Sequence, residues 1–386
     1  MTPMTESTQS RLHDELNEAR EHVGKMYIAG IGTALPELNI SQTDAAAMAT
    51  TLCDYDDKQK KRIEKLYRLT QVENRHCTVL SPDGEGNTVQ DFFRPADATK
   101  QFGPAMTERM LRYEECAPKL AIQAAQRALD ASGVDVDTIT HIVTVSCSGF
   151  VAPGVDAALI NALGLPATTQ RTHVGFMGCH GALNAIRVAN GYVCSQPNAR
   201  VLIVAVELCS LHYQYSEDDE TNLANGLFSD GAAALVAMGR GEIKSDAWRC
   251  VATGSCMLPD SAHAMTWKVR DHGFQMTLSR EVPSIIRTNL VPWMGPWLEE
   301  HGYALEDIKS WAVHPGGPAI LQGVREALSL TNADLATSWE VLRAYGNMSS
   351  PTVVFVIEAM QQRNAELPCV ALGFGPGLAA EAVLFA

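Results

Sequence analysis

Apolar residues recur along the chain in two rhythms. Leu12, Leu16, Ala19 and Val23 stand three or four apart, which predicts a leading amphipathic helix. Met26-Tyr-Ile-Ala-Gly-Ile-Gly32 then reads as a buried strand ending in glycines, and β-rich runs follow at His141–Ser146, Val201–Val206, Ala232–Met238, Ser310–His314 and Cys369–Gly373. Helical stretches separate these runs, and strands alternating with helices predict an α/β fold with largely buried sheets. Ile139–Ser146 and Ile308–His314 each follow a helix and a short turn, Gly-Val-Asp in one case and Leu-Glu-Asp in the other, an echo that suggests a duplicated architecture. No low-complexity linker separates the halves, so they are expected to pack tightly. They join near Gly239–Lys244, where Gly-Arg-Gly-Glu interrupts two apolar segments. The expected organisation is a helix over 1–25, one half over 26–239 and a second over 240–386.

Composition narrows the class. With 386 residues, 46% hydrophobic and 19% charged, the chain has ample material for a large core and none of the composition of disorder. Acidic residues number 44 and basic 30, and the net charge of −14 argues against a nucleic-acid partner, which needs a dominant basic face. No run approaches the roughly 20 apolar residues of a membrane span. Glu6, Asp14, Glu15, Glu18 and Glu21 occupy the N-terminus where a secretory signal would be hydrophobic, which predicts a cytoplasmic protein. The 10 cysteines show neither a CxxC pair nor a metal-ligand cadence and sit mostly in apolar runs, so neither a disulfide framework nor a metal site is indicated. Gly30-Ile-Gly32 and Gly373-Phe-Gly-Pro-Gly377 lack the GxGxxG spacing of a dinucleotide site, and Pro376 removes an N–H that would face phosphate.

Three glycine-rich loops carry candidate chemistry. In Val174-Gly-Phe-Met-Gly-Cys179-His-Gly-Ala, a cysteine between glycines opens a helix, whose N-terminus favours thiolate and lowers the thiol pKa; alone, the segment reads equally as a buried structural cysteine. Trp311-Ala-Val-His314-Pro-Gly-Gly-Pro318 ends an apolar strand on a histidine, where active-site residues of α/β folds collect, though a packed histidine fits as well. Tyr345-Gly-Asn347-Met-Ser-Ser-Pro351 sets an asparagine on a loop leading into a buried helix, and alone it would be a turn or cap residue. Together they supply a thiol nucleophile, a base and two donors able to form an oxyanion hole.

His314-Pro-Gly-Gly-Pro318, Gly346-Asn-Met-Ser-Ser350 and Gly373-Phe-Gly-Pro-Gly377 resemble signatures of the chalcone synthase-like type III polyketide synthases, and the resemblance runs from Met26 to Ala386. It implies a thiolase-like fold, a duplicated five-layer αβαβα arrangement with two central mixed sheets, in a homodimer. It further implies that Cys179 accepts the acyl group while His314 and Asn347 drive decarboxylation. The substrates would be an acyl-CoA starter and malonyl-CoA, with no metal or other cofactor. Phe228, in Leu227-Phe-Ser-Asp230, takes the place of a gatekeeper between the access tunnel and the chamber, against the plain alternative of core packing. Helical spacing of Arg62, Lys65 and Arg68 gathers three cations where family members grip coenzyme A phosphates; a solvated charged face is the bland alternative.

The pocket departs from the plant members. Trp267 and Met276 align with a glycine and a phenylalanine of chalcone synthase, Cys209 and His212 with two threonines, and Ala152 with a methionine. Cys147, Ser349, Gly375 and Pro376 complete the expected wall. The Met265–Gly273 segment is closer to bacterial members, which make alkylpyrones, alkylresorcinols, phloroglucinols or tetrahydroxynaphthalene. Two alternatives stand beside an iterative synthase: a single-condensation 3-ketoacyl synthase of the fatty-acid initiating type, and a non-catalytic partner subunit that would have lost one of the three catalytic residues.

Overall fold

A computed structural model describes residues 24–86, 88–97, 102–241 and 243–386. The helix expected over 1–25 lies, apart from Gly24 and Lys25, outside the described residues. The nine strands of the main sheet are β1 (Met26–Ala34), β2 (His141–Ser146), β3 (Gln170–Gly175), β4 (Arg200–Leu208), β5 (Asp230–Met238), β6 (Arg249–Met257), β7 (Ser310–Val313), β8 (Cys369–Gly375) and β9 (Ala379–Phe385). Their order is β7-β8-β9-β6-β1-β5-β4-β2-β3. The strand β2 runs parallel to β3 and β4, and β7 parallel to β8, while the other neighbours are antiparallel. The expected two mixed sheets meet edge to edge, because β1 and β6 pair only through Met26↔Cys250 and Tyr27↔Arg249.

Five helices build the layers: α1 (Met106–Ser132), α2 (Gly181–Ser195), α3 (Val282–Glu300), α4 (Pro318–Ala327) and α5 (Thr352–Gln362). Apolar residues of α2 and α5, among them Ile186 and Val356, share one core with Val145 and Ile203 of the first sheet half and Ala371 and Val383 of the second. The outer faces bury separate cores, α1 with β4 and β5 on one side, α3 and α4 with β8 and β9 on the other. This is the five-layer thiolase-like arrangement. The sequence echo is real: a helix, a one-turn helix and a strand follow each other in both halves, at Val136–Thr138 before β2 and at Leu305–Asp307 before β7.

Close approach explains Gly30 and Gly32. A Cβ on Gly32 would lie 2.3 Å from the Ala128 backbone N, and one on Gly30 2.5 Å from the Ala128 carbonyl oxygen. Ala117, Ala121, Ala124, Ala125 and Ala128 give α1 a small-residue stripe that lets its backbone settle onto β1. These glycines serve helix-on-sheet packing. Outside the main sheet, the hairpin Met265–Arg270/Gly273–Leu278 carries Trp267 opposite Met276.

Candidate active site

The chain leaves β3 through Phe176 at φ 60 and Gly178 at φ 72, then enters α2 by a one-turn helix, Gly178–His180. A Cβ on Gly178 would meet Pro376 Cδ at 2.3 Å, so glycine is required there for both its φ and its space. This turn holds Cys179 at 7% exposure, between the two halves. Pro376 and Gly375 press on it from β8: a Cβ on Gly375 would fall 2.4 Å from the ring of His180.

His314 directly follows β7, its backbone N–H donating to the Leu372 carbonyl at 2.7 Å. Its ring is buried, and neither ring nitrogen finds a hydrogen-bond partner among the described residues. Burial first, and then the nearby His180, push its pKa down to about 3, so the imidazole is neutral at pH 7. Asn347 Oδ1 accepts the Ser349 N–H at 2.8 Å, which turns the amide NH2 toward Cys179, and Nδ2 donates to Cys179 Sγ at 3.9 Å. The backbone around Asn347 is pinned in a one-pair bridge to Phe228: its N–H donates to Leu227 O at 2.9 Å and its carbonyl accepts the Ser229 N–H at 2.9 Å.

The thiol differs from the expectation drawn from its helix start. Burial pushes Cys179 up to about 11 against the lowering effects of Ser349 and Asn347, so the resting nucleophile is a thiol.

Glu207, on β4, escaped the reading of the sequence. It is fully buried and accepts hydrogen bonds from Ser148 Oγ and Ser350 Oγ at 2.6 Å each, from the Cys147 N–H at 2.9 Å and from Cys147 Sγ at 3.1 Å. Burial raises its pKa, while these donors pull the other way. Ser349 Oγ lies 3.4 Å from Cys147 Sγ, so Cys147, Ser349 and Cys179 form one continuous wall. The signal was available: Glu207 is the only charge in the apolar run Val201–Leu208, and a buried carboxylate needs dedicated donors.

Two cavities meet at Phe228, the bridge partner of Asn347, and neither is lined by Cys179, His314 or Asn347 themselves. One is apolar and includes Cys209, His212, Phe228, Trp267 and Met276 together with Ala49 and Phe93. The other, between Leu66, Leu223 and Ile320, opens at Arg280 and also includes Phe228 and Met276. Ala224, Phe228 and Met276 are the residues common to both linings. Trp267 Nε1–H donates to the Cys147 carbonyl at 2.7 Å, and its ring stands edge-on to His212 and Phe274. His212 lies flat on Phe274, centroids 4.0 Å apart, donating from Nε2 to Ser148 O at 2.6 Å and accepting the Phe274 N–H at Nδ1. Ala152 is exposed, at a cis peptide bond with Pro153, and lines neither cavity.

Arg62, Lys65 and Arg68 are exposed along the helix Asp57–Leu69, started by the capping box of Asp56 and Gln59. Arg62 pairs with Asp219 at 2.5 Å across the gap to the helix Asp219–Leu227. Among the described residues no group of three or more His, Cys, Asp or Glu is placed to hold a metal, and no helix is long and apolar enough to cross a membrane.

Residues 13–241 match the family model described as chalcone and stilbene synthases, N-terminal domain, and residues 250–386 match the corresponding C-terminal domain. The chain is 32% identical over 366 residues to the alpha-pyrone synthesis polyketide synthase-like Pks18 of Mycobacterium tuberculosis, covering 93% of this chain and 90% of that protein. It is also 32% identical to the 1,3,6,8-tetrahydroxynaphthalene synthase of Streptomyces peucetius, covering 92% of each. Among solved structures, PKS-I of the brown alga Ectocarpus siliculosus superposes with a TM-score of 0.87 at 31% identity, over 94% of this chain and 98% of that one.

Proposed function

The chain belongs to the chalcone and stilbene synthase family, the type III polyketide synthases, and from that premise we propose that Cys179, His314 and Asn347 carry out its chemistry. Enzymes of this family, this one among them, are malonyl-CoA-dependent acyltransferases that add malonyl units iteratively to an acyl-CoA starter. Coenzyme A thioesters are the substrates, and no resident cofactor takes part.

In the loading step the Cys179 thiol gives its proton to the neutral His314 ring as sulfur attacks the starter carbonyl. Coenzyme A leaves as a thiol, carrying that proton. Malonyl-CoA then sets its thioester oxygen between the His314 N–H and Asn347 Nδ2. As the bond to carbon dioxide breaks, its electron pair forms an enolate whose oxygen these donors stabilise, an effect worth several kcal/mol. The enolate carbon attacks the acyl group on Cys179 and the thiolate departs, ready for reloading. The observation that carries this reading is the Asn347 amide at 3.9 Å from Cys179 Sγ, held in orientation by Ser349, together with a buried His314 that has both ring nitrogens unpartnered among the described residues and feels the charge of His180, the residue after Cys179.

Apolar lining between Phe93, Ala49 and Trp267 favours a starter with a hydrocarbon or aryl tail, and the product would be a pyrone, resorcinol, phloroglucinol or naphthol. The exposed Arg62, Lys65 and Arg68 would receive coenzyme A phosphates, next to the second cavity. We read the halves as 26–239 and 240–386, both contributing to one centre, and the protein as a cytoplasmic homodimer; Phe150, 54% exposed, and Met177, 41% exposed, support a self-association face.

Mass spectrometry of products from malonyl-CoA and a starter panel tests the reading. Products with two or more malonyl-derived units are expected from apolar starters. Formation of only single-condensation 3-ketoacyl thioesters would overturn it. Trp267→Gly is expected to lengthen the product or admit a bulkier starter; an unchanged spectrum with a large fall in Tm would reduce Trp267 to a packing residue.

A further inference from the structure

The helix Asp219–Leu227 ends at Phe228, and its last carbonyls must find donors outside the helix. Each does. Asn225 O accepts Arg75 Nη1 at 2.7 Å, Gly226 O accepts Gln42 Nε2 at 2.6 Å, and Leu227 O accepts the Asn347 N–H at 2.9 Å. Phe228 O, the next carbonyl, takes the second Nη1 hydrogen of Arg75 at 3.0 Å. One buried guanidinium, 7% exposed, thus spans the carbonyl end of this helix and the Phe228 that follows it. The partial negative charge of a helix C-terminus suits a cation there. Arg75 is itself fixed: its strand pairs Ile40↔Arg75, its Cζ lies 5.4 Å over the Tyr67 ring, and a Cβ on Gly346 would come within 3.2 Å of its Cγ.

We propose that Arg75 is a positioning residue that sets the catalytic Asn347 and Phe228 together, through the carbonyls of Asn225 and Phe228 and the bridge Phe228↔Asn347. The proposal rests on the role given above to Asn347. The guanidinium touches neither Cys179 nor Asn347; it acts through the backbone that both Phe228 and Asn347 share. A packing arginine would matter for stability alone. A positioning arginine matters for the step that needs the Asn347 amide aimed, the decarboxylation. Misplacement of a catalytic group by an ångström costs rate on the order of 10²-fold.

The test is a double-variant cycle on full-length enzyme. Malonyl-CoA decarboxylation is measured for wild type, Arg75→Lys, Arg75→Met, Asn347→Ala and Arg75→Lys/Asn347→Ala, with iodoacetamide labelling of Cys179 in parallel. Arg75→Met is expected to lower decarboxylation kcat by roughly 10- to 100-fold, with KM for malonyl-CoA little changed and Cys179 still labelled, more slowly only as far as the Asn347 amide is withdrawn from its Sγ. Arg75→Lys, which keeps a cation and a donor, should recover part of the loss and stays informative if the methionine variant fails to fold. In the Asn347→Ala background Arg75→Lys should cost nothing further. A slow Asn347→Ala enzyme that Arg75→Lys slows again by its full factor overturns the proposal alone, as does a folded Arg75 variant with wild-type decarboxylation and only a lower Tm. An Asn347→Ala enzyme as fast as wild type overturns the role of Asn347 and this proposal with it.

Discussion

Cys179 and Arg62 are both proposed to meet the same substrate, and the two regions hold their groups by opposite means. Around Cys179, at 7% exposure, groups are fixed by buried partners: the Asn347 amide by the Ser349 N–H, the His314 main chain by the Leu372 carbonyl, Glu207 by two serine hydroxyls and the Cys147 N–H. Arg62, with 61% of its side chain exposed, has one anchor, Asp219, and Arg280, 81% exposed, has Glu220 at 3.7 Å. Buried donors in a low-dielectric setting act strongly and need no reorganisation, whereas exposed cations are screened and individually weak. Chemistry is thus concentrated in a rigid interior, and capture is left to adjustable side chains at the mouth.

The largest effects should come from the interior. His314→Ala and Asn347→Ala should each lower malonyl-CoA decarboxylation by a factor of order 10² to 10³ with the fold retained, because each removes one donor from the developing enolate. Circular dichroism establishes folding and carbon dioxide release gives the rate. A folded variant with wild-type release removes that residue from the mechanism.

The thiol offers a second break. With burial holding Cys179 near 11, iodoacetamide labelling should rise about tenfold per pH unit between pH 7 and 10 as thiolate grows. Peptide mapping identifies the site. A plateau already reached near pH 7 would mean that a thiolate–imidazolium pair exists at rest and that the helix start governs the thiol after all.

What was legible in the sequence follows the same division. The strands β2, β4, β5, β7 and β8 were readable because both faces are buried, which leaves unbroken apolar runs, and the turn at Cys179 because Gly178 tolerates no side chain. The hairpin around Trp267 and Met276 was not, since Lys268, Val269, Arg270 and Gln275 are exposed and its other apolar residues divide between a cavity, with Trp267 and Phe274, and the core, with Met265. Glu207 and Arg75 were passed over because their partners are carbonyls, serines and a peptide N–H distant in the chain, which periodicity does not register. The thiol was misjudged because the depth of burial depends on how the halves close over it.

The mouth should respond more mildly. Asp219→Asn frees Arg62, and if Arg62 meets coenzyme A phosphates, KM for malonyl-CoA should fall by roughly two- to fivefold at low salt, the scale of an exposed pair. The Arg62→Glu/Lys65→Glu variant should raise it, and added salt should shrink both effects. Steady-state kinetics at two ionic strengths measures this. Unaltered KM for both variants at low salt would make the face a solvated one.

The smallest expected effect concerns a group that the interior holds in a single protonation state. Burial first, and then the nearby Arg109 charge, push His212 down to about 3, against an ordinary value near 6.5; its ring is stacked on Phe274 and its Nδ1 accepts the Phe274 N–H. Between those two values the unfolded chain takes up a proton that the folded chain cannot. His212 therefore weakens the fold progressively as pH falls from about 6.5 toward 3, and has no such effect above 7. His212→Gln removes that proton uptake and also the stack. At pH 7.5 the variant should melt lower than wild type, through lost packing on Phe274 and the Ser148 bond. As the pH is lowered to 4.5 only the wild type acquires the penalty at this position, so the difference in Tm should narrow by a few degrees. Differential scanning calorimetry of both proteins at the two pH values reads it directly. A difference that stays constant would mean that His212 accepts a proton within the fold, which requires the Phe274 N–H to let go of Nδ1 and the wall beside Trp267 to be mobile rather than fixed.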